Sequence, residues 1–350
     1  MSETSAAHVT ALTPEHQKAL HALVADYMPE SYWILEGAFR FDASVRQLHK
    51  STAMGPSFRR FWQVAGAAPC LWSLDWGAQR RVFSQNEIIA LLKAYQQDHL
   101  GVTLIFDNPY VTEEMLGDVY AHMLVEELQN HNPEGRAALC VANDALAEML
   151  KQRYPKLPVI CHYNRLVAEN GRRTPALYES LCKLYNRVML HPADAARPAL
   201  YKALKEPLRY DVVINDSCLR TCPVRREHMR LLAQLRGRPY DSDLIVQNQM
   251  LIDRVACRKP EAPVAGAKVR GFLTRNEALS LYEAGFRAFF VQGTQYRNEM
   301  TLLWDYLRCA LDWQPVLSNK TAHIATSALA SLKQHTPTLT SGLRFFDFQQ

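Results

Sequence analysis

No stretch of this sequence approaches about 18 uninterrupted apolar residues, so no membrane span is expected. The N-terminus has no charged start followed by an apolar core, which argues against a secretory signal. Cysteine is sparse: eight in 350 residues is far from a disulfide-dense secreted framework. A reducing, cytoplasmic setting is therefore expected. No block of Lys or Arg stands out. The net charge of +5 is a mild bias that permits an anionic substrate or RNA but argues for neither. Low-complexity tracts are missing. So is the Gly-rich turn that an open doubly wound sheet carries after its first strand, since Gly37 stands alone in its segment.

What is present is a rhythm. Short apolar runs rich in Val, Ile, Leu and aromatics end in a polar residue, and a helical pattern follows. The runs are 33–38, 70–75, 102–107, 138–142, 158–162, 187–191, 211–215 and 287–292. Helical patterns fall at 85–98, 112–130, 144–153, 175–185, 193–204, 223–236 and 275–284, with a last one near 297–312. Continuous apolar runs between amphipathic helices imply a parallel sheet covered on its outside. Eight such units predict an α/β protein, a TIM-like (β/α)8 barrel with irregularities and inserted loops. Residues 1–30 read as a lead-in with one helix, whose first turn holds Pro14 and Glu15. The barrel then spans 31–315, with insertions at 40–69 and 237–267, and 316–350 is a C-terminal extension. Long connections inside a compact domain are often functional. The first carries Phe58, Arg59, Arg60, Phe61 and Trp62 and reads as a lid, a partner surface or an ordinary helical insertion. Its aromatics would suit an interface with a partner subunit.

Chemistry in such barrels sits at the C-terminal ends of the strands. Those ends give Asp75 and Trp76, Asp107 and Asn108, Asn143, His162 and Asn164, His191, Asn215 and Asp216, and Gln292. A mouth of carboxylates, amides and two imidazoles suits a small polar or aromatic molecule. His162, His191 and Asp107 are the candidates for orienting substrate and moving protons. Asp75, Asn108, Asn164, Asn215 and Gln292 are the candidates for contacting it. The plainer reading is that Asp and Asn after a strand cap the next helix, above all Asn143 and Asp107. A lone His is usually structural, but His162 and His191 occupy equivalent positions on neighbouring strands.

The most informative stretch is residues 210–230. A strand runs into Cys218, three residues separate it from Cys222, and Pro223 follows. Cys257 comes later, flanked by Arg254, Arg258 and Lys259. Thiolates need a metal or positive charge nearby, and Arg225, Arg226 and Arg258 meet that condition. Arg225, Arg226 and Arg230 could also hold an anion, or form a solvated helix face. The order of the cysteines suggests an iron–sulfur site with ligands from two loops. Zinc is the next choice, and two unrelated half-buried cysteines the plainest. A radical S-adenosylmethionine site is rejected, because Arg225 stands where its third cysteine would be. Cys140, Cys182 and Cys309 read as buried core residues.

Several segments, taken in order, resemble the U-thirty-two peptidase superfamily of collagenase-like barrels, which includes UbiU- and UbiV-like proteins. ALCVANDALAEMLKQRYPKLPVICHYN looks like the family's strand, helix with a Tyr-Pro step, and polar-ended strand. RVMLHPADA looks like its sixth strand, and VVINDSCLRTCPVRREH like its cysteine segment. GFLTRNEALSLYEAGFRAFFVQG is similar to its closing helix and strand. The resemblance covers about residues 100–310 and implies a barrel carrying a 4Fe–4S cluster on four cysteines. Cys218 and Cys222 match the first ligand positions and Cys257 the later one. Cys161 is the best-placed fourth; Cys70 begins its run, and His228 is the non-cysteine alternative. The family's closing strand ends in Gly-Arg, whereas Gly293 here precedes Thr294.

The leading expectation is an iron–sulfur barrel enzyme, or a subunit of one. It would act in oxygen-independent hydroxylation or another modification of a small ring compound or RNA base. A zinc hydrolase or peptidase on the same cysteines is a second class, unsupported by any His-Glu-x-x-His pattern. A non-catalytic scaffold or partner subunit is a third.

Overall fold

The structure is a computed structural model. It describes residues 28, 30–39, 42, 45–46, 61–74, 82–131, 135–169, 171–255 and 270–292. The expected lead-in helix, the helix near 297–312 and the extension at 316–350 lie outside these residues, as do Asp75, Trp76 and Cys257.

Eight strands close into a barrel of parallel pairs. They are β1 (Tyr32–Glu36), β2 (Phe61–Gly66), β3 (Gly101–Phe106), β4 (Ala138–Val141), β5 (Val159–Cys161), β6 (Arg187–Leu190), β7 (Tyr210–Val213) and β10 (Ala288–Val291). Each pairs with the next in this order, and β10 closes the ring between β7 and β1. Strand residues alternate between two layers, as a period of two requires. Ile34, Ala65, Ile105, Cys140, Ile160, Met189, Val213 and Phe290 fill the inside. Their neighbours Leu35, Val64, Leu104, Leu139, Cys161, Leu190, Val212 and Phe289 face the outer layer of helices. β3 is buried along its whole length, which explains its continuous apolar run. At its start a side chain on Gly101 would collide with the Arg136 carbonyl, so only glycine lets these two chain segments meet.

The helices are local solutions to the same sequence. In α1 (Gln85–Gln97), Ser84 and Glu87 form a reciprocal capping box. Asn143 caps α3 (Asp144–Arg153), following α2 (Val119–Asn130). The short α4 (Asn164–Ala168) comes next, then α5 (Pro175–Leu184), which has Thr174 as its cap and Pro175 in its first turn. The helix expected over 193–204 is two short ones, α6 (Pro192–Ala195) and α7 (Pro198–Tyr201). Pro198 holds Arg197 out of the helical region, at φ −116° and ψ 91°. After α8 (Arg225–Gly237) and α9 (Ser242–Arg254), α10 (Arg275–Glu283) leads back to β10. It ends at Gly285, whose φ of +98° suits glycine.

Three expectations are corrected. The second strand is not 70–75 but β2, inside the stretch read as an insertion. Residues 70–74 instead turn back, with Cys70 accepting from the Ser73 N–H and the Trp72 carbonyl from the Asn108 N–H. They support α8, because Leu74 packs with Met229 and Ala233 and Arg236 Nε donates to the Ser73 carbonyl at 2.8 Å. The stretch 237–267 contains α9 rather than only loop. The seventh strand stops at Val213, and Asn215–Leu219 forms a separate strand β8, antiparallel to β9 (Arg270–Phe272). Among the described residues no helix is long and apolar enough to cross a membrane.

Candidate functional site

The mouth is organised around Tyr163, at the end of β5. The His162 ring stacks on the Tyr163 ring with centroids 4.4 Å apart. The His191 ring, from the end of the neighbouring β6, stands edge-on to it at 6.1 Å. The Arg225 guanidinium carbon lies 5.0 Å from the same ring's centroid. Gln292, just after β10, donates to Tyr163 Oη at 2.7 Å and so fixes the phenol.

Both histidines are held in the same way. His162 Nδ1 accepts from the Asn164 N–H at 3.2 Å, and His191 Nδ1 from the Ala193 N–H at 3.1 Å. A backbone N–H can only donate, so each neutral ring carries its proton on Nε2. Burial and then Arg225 push the His162 imidazole down to about 3. Burial, Arg225 and Arg173 push His191 well below its ordinary value. Both rings are therefore neutral at physiological pH.

Arg225 is the first residue of α8. It pairs with Asp216 at 2.7 Å, and both side chains are nearly sealed from solvent. Burial raises the Asp216 carboxyl even though Arg225 lowers it. The other Asp216 oxygen accepts from the Cys218 N–H at 3.2 Å. Cys218 lies where the β8–β9 register shifts, between Asp216 and Leu219. Such irregularities re-aim side chains next to sites. Electrostatic coupling of Cys218 to Tyr163, His191 and Arg225 places its thiol at the mouth. The neighbouring Cys218 thiol and then burial raise the Cys222 thiol pKa.

The other expected residues serve the framework. Asp107 accepts from the Leu74 N–H at 2.8 Å, and its carbonyl and carboxylate receive the Asn164 amide at 3.0 and 3.4 Å. It does not figure among the charges that perturb His162. Asn108 donates to the Leu71 carbonyl at 2.8 Å and accepts from the Tyr110 N–H at 2.9 Å. Asn215 bonds to both the Gln292 carbonyl and N–H, joining the ends of β7 and β10. The expected trio of His162, His191 and Asp107 is thus a pair of histidines beside a locked aspartate. Cys161 points away from the mouth: Ile160 faces the barrel interior, and Cys161, one residue on, faces the helices. It sits near Asp144, Arg165, Cys182 and Tyr185 rather than Cys218, so it is not placed to share a metal with that pair. Tyr163 is the central residue that the sequence reading missed. Its only sequence signal is its place between two polar residues at a strand end.

No protein-family model and no curated protein matches this sequence. A solved structure titled "The Structure of the U32 Peptidase Mk0906" is similar over 76% of this chain and 92% of that one, at 13% identity and a TM-score of 0.46. The barrel itself stands on this chain's own strand pairing.

Proposed function

We propose that this chain is a metal-thiolate β/α barrel that binds a small polar ring compound at its mouth and takes part in its modification. The observation that carries the reading is the neighbouring pair of thiols, Cys218 and Cys222, beside His191, Tyr163 and Arg225. Among the described residues no group of three His, Cys, Asp or Glu side chains converges. Cys218 and Cys222 nonetheless fit as two neighbouring ligands. Val255 packs in the same apolar cluster as Cys222, and Cys257 is two residues further along the chain. Two residues reach about 7 Å at most. A 4Fe–4S cluster is the leading occupant and zinc the alternative. When bound, such a cluster would supply an electron-transfer or Lewis-acid centre.

The chain's own residues would do the rest. His162 and His191 would offer Nε2–H donors to the substrate, Arg225 would set a positive potential, and Gln292 would hold Tyr163 in place. The reaction class is hydroxylation without dioxygen, or a related modification, of a ring compound or RNA base. A partner subunit that delivers electrons is compatible with this reading. The test is purification without oxygen, followed by absorption spectra and analysis for iron and zinc. A broad visible band with bound iron, lost when Cys218 and Cys222 are replaced by Ala, is the expected result. An unchanged iron chromophore in that double variant would refute the ligand assignment, and zinc alone would replace the cluster with the alternative.

A further inference from the structure

The mouth has an imbalance of hydrogen-bonding groups. His162 and His191 each use Nδ1 on a backbone N–H, and among the described residues neither Nε2 has a partner. Neither Nε2 is among the fully sealed, unpartnered side-chain atoms, and each histidine keeps 4% of its surface exposed. Arg225 spends one nitrogen on Asp216, and its Nε is buried with no acceptor. Three donor-bearing groups therefore surround one tyrosine ring: the imidazole centroids of His162 and His191 lie 4.4 and 6.1 Å from its centroid, and the Arg225 guanidinium carbon lies 5.0 Å from it. The Asp216 carboxylate is already engaged by Arg225 and by the Cys218 N–H. Asp194 lies behind His191 and is committed to Arg173, Arg197 and the Tyr178 hydroxyl. Asn164 Oδ1 beside His162 is buried without a partner, but the unpartnered donors outnumber it, and a ligand that brings acceptor oxygens completes them.

We infer that the mouth recognises a carboxylate on its ligand, held by the Nε2–H groups of His162 and His191 beside Arg225. This rests on the substrate-binding reading above and names the chemical group that the site takes. The charges around the pair agree with it. Arg225 acts on both rings, while Arg173 and the Cys218 thiol act on His191. Burial and these two cations keep the rings neutral, so they give hydrogen bonds without giving up a proton.

Two substitutions separate this from a purely structural role. Asn reproduces the Nδ1 acceptor of a histidine, so His162→Asn and His191→Asn keep the bond to the backbone N–H and remove the outer donor. Gln reproduces the Nε2 donor, so His162→Gln and His191→Gln keep the donor and lose that inner bond. The full chain, labelled with nitrogen-15 in its histidines, is titrated with benzoate and separately with benzyl alcohol. Benzoate is expected to shift both Nε2–H signals, and benzyl alcohol is not. The Asn variants are expected to weaken benzoate binding at least about tenfold, as loss of one hydrogen bond to a charged group implies. The Gln variants are expected to stay within about threefold. Silence of both signals towards benzoate, an equal response to benzyl alcohol, or equal losses in the Asn and Gln variants would each overturn the inference. Iron and zinc measured on the same samples report on the thiolate reading separately, because benzoate binding needs no metal.

Discussion

Two buried arginine–aspartate pairs sit at opposite ends of this barrel, and they are built alike. At the floor, Arg187 Nε lies 3.2 Å from Asp211, and the Arg187 guanidinium carbon is 5.7 Å from the Tyr32 ring centroid. At the mouth, Arg225 lies 2.7 Å from Asp216 and 5.0 Å from the Tyr163 ring centroid. Both aspartates are fully sealed. The difference lies in what carries them. Arg187, Asp211 and Tyr32 all belong to barrel strands, and Arg187 donates to the Tyr32 hydroxyl at 2.9 Å. Arg225 and Asp216 belong to elements added beyond the strands, a helix start and an irregular two-stranded ribbon. Two imidazoles and two thiols surround that second pair. The same ion pair thus closes the barrel where the sheet carries it, and stands beside two imidazoles and two thiols where added elements carry it.

Stability measurements sharpen this contrast. Arg187→Ala strands a sealed carboxylate and is expected to cost about 3–5 kcal/mol in denaturant unfolding, with benzoate affinity unaffected in whatever folds. A loss below about 1 kcal/mol would remove the floor pair from the framework. Asn108→Ala deletes two buried hydrogen bonds near the mouth. It is expected to cost about 2–3 kcal/mol and leave benzoate affinity unchanged. A fall in affinity without a fall in stability would restore Asn108 to the ligand site.

The third expectation concerns pH. In the unfolded chain each histidine takes a proton near pH 6.5. Folded, His162 stays neutral down to about 3, and His191 is also held well below its ordinary value. The unfolded state therefore binds more protons below pH 6.5, and stability falls as pH falls. Between pH 7.5 and 5.5 this amounts to about 1.4 kcal/mol for each histidine. His162→Asn and His191→Asn should each flatten the dependence by about that amount. An unchanged slope would mean that these rings are protonated in the folded protein.

Much of the barrel was legible from periodicity, because buried parallel strands are written as continuous apolar runs. β4 to β6 and β10 fell within the expected stretches, and β1, β3 and β7 began one residue before theirs. β2 was not legible, since Trp72 and Leu74 in the next stretch are as apolar and are buried for other reasons, Trp72 against Phe106 and His122 and Leu74 as the seat of α8. The end of β7 was hidden because β8 follows after a single residue with no turn signal. At the site, position at strand ends brought out both histidines and the cysteine pair. It could not separate side chains that face the mouth from those that lock loops, such as Asn108 and Asp107, since both kinds are polar and follow a strand. Cys161 failed for a simpler reason: one residue along a strand exchanges inside for outside.

The account rests most heavily on two neutral imidazoles that present Nε2–H groups at the mouth. Nitrogen-15 spectra of the histidine side chains, recorded at pH 5, test this directly. The expected result is the neutral, Nε2-protonated pattern for both His162 and His191, assigned by His162→Asn and His191→Asn, while exposed histidines are already charged. An imidazolium pattern, or a proton on Nδ1, at either ring would contradict the account.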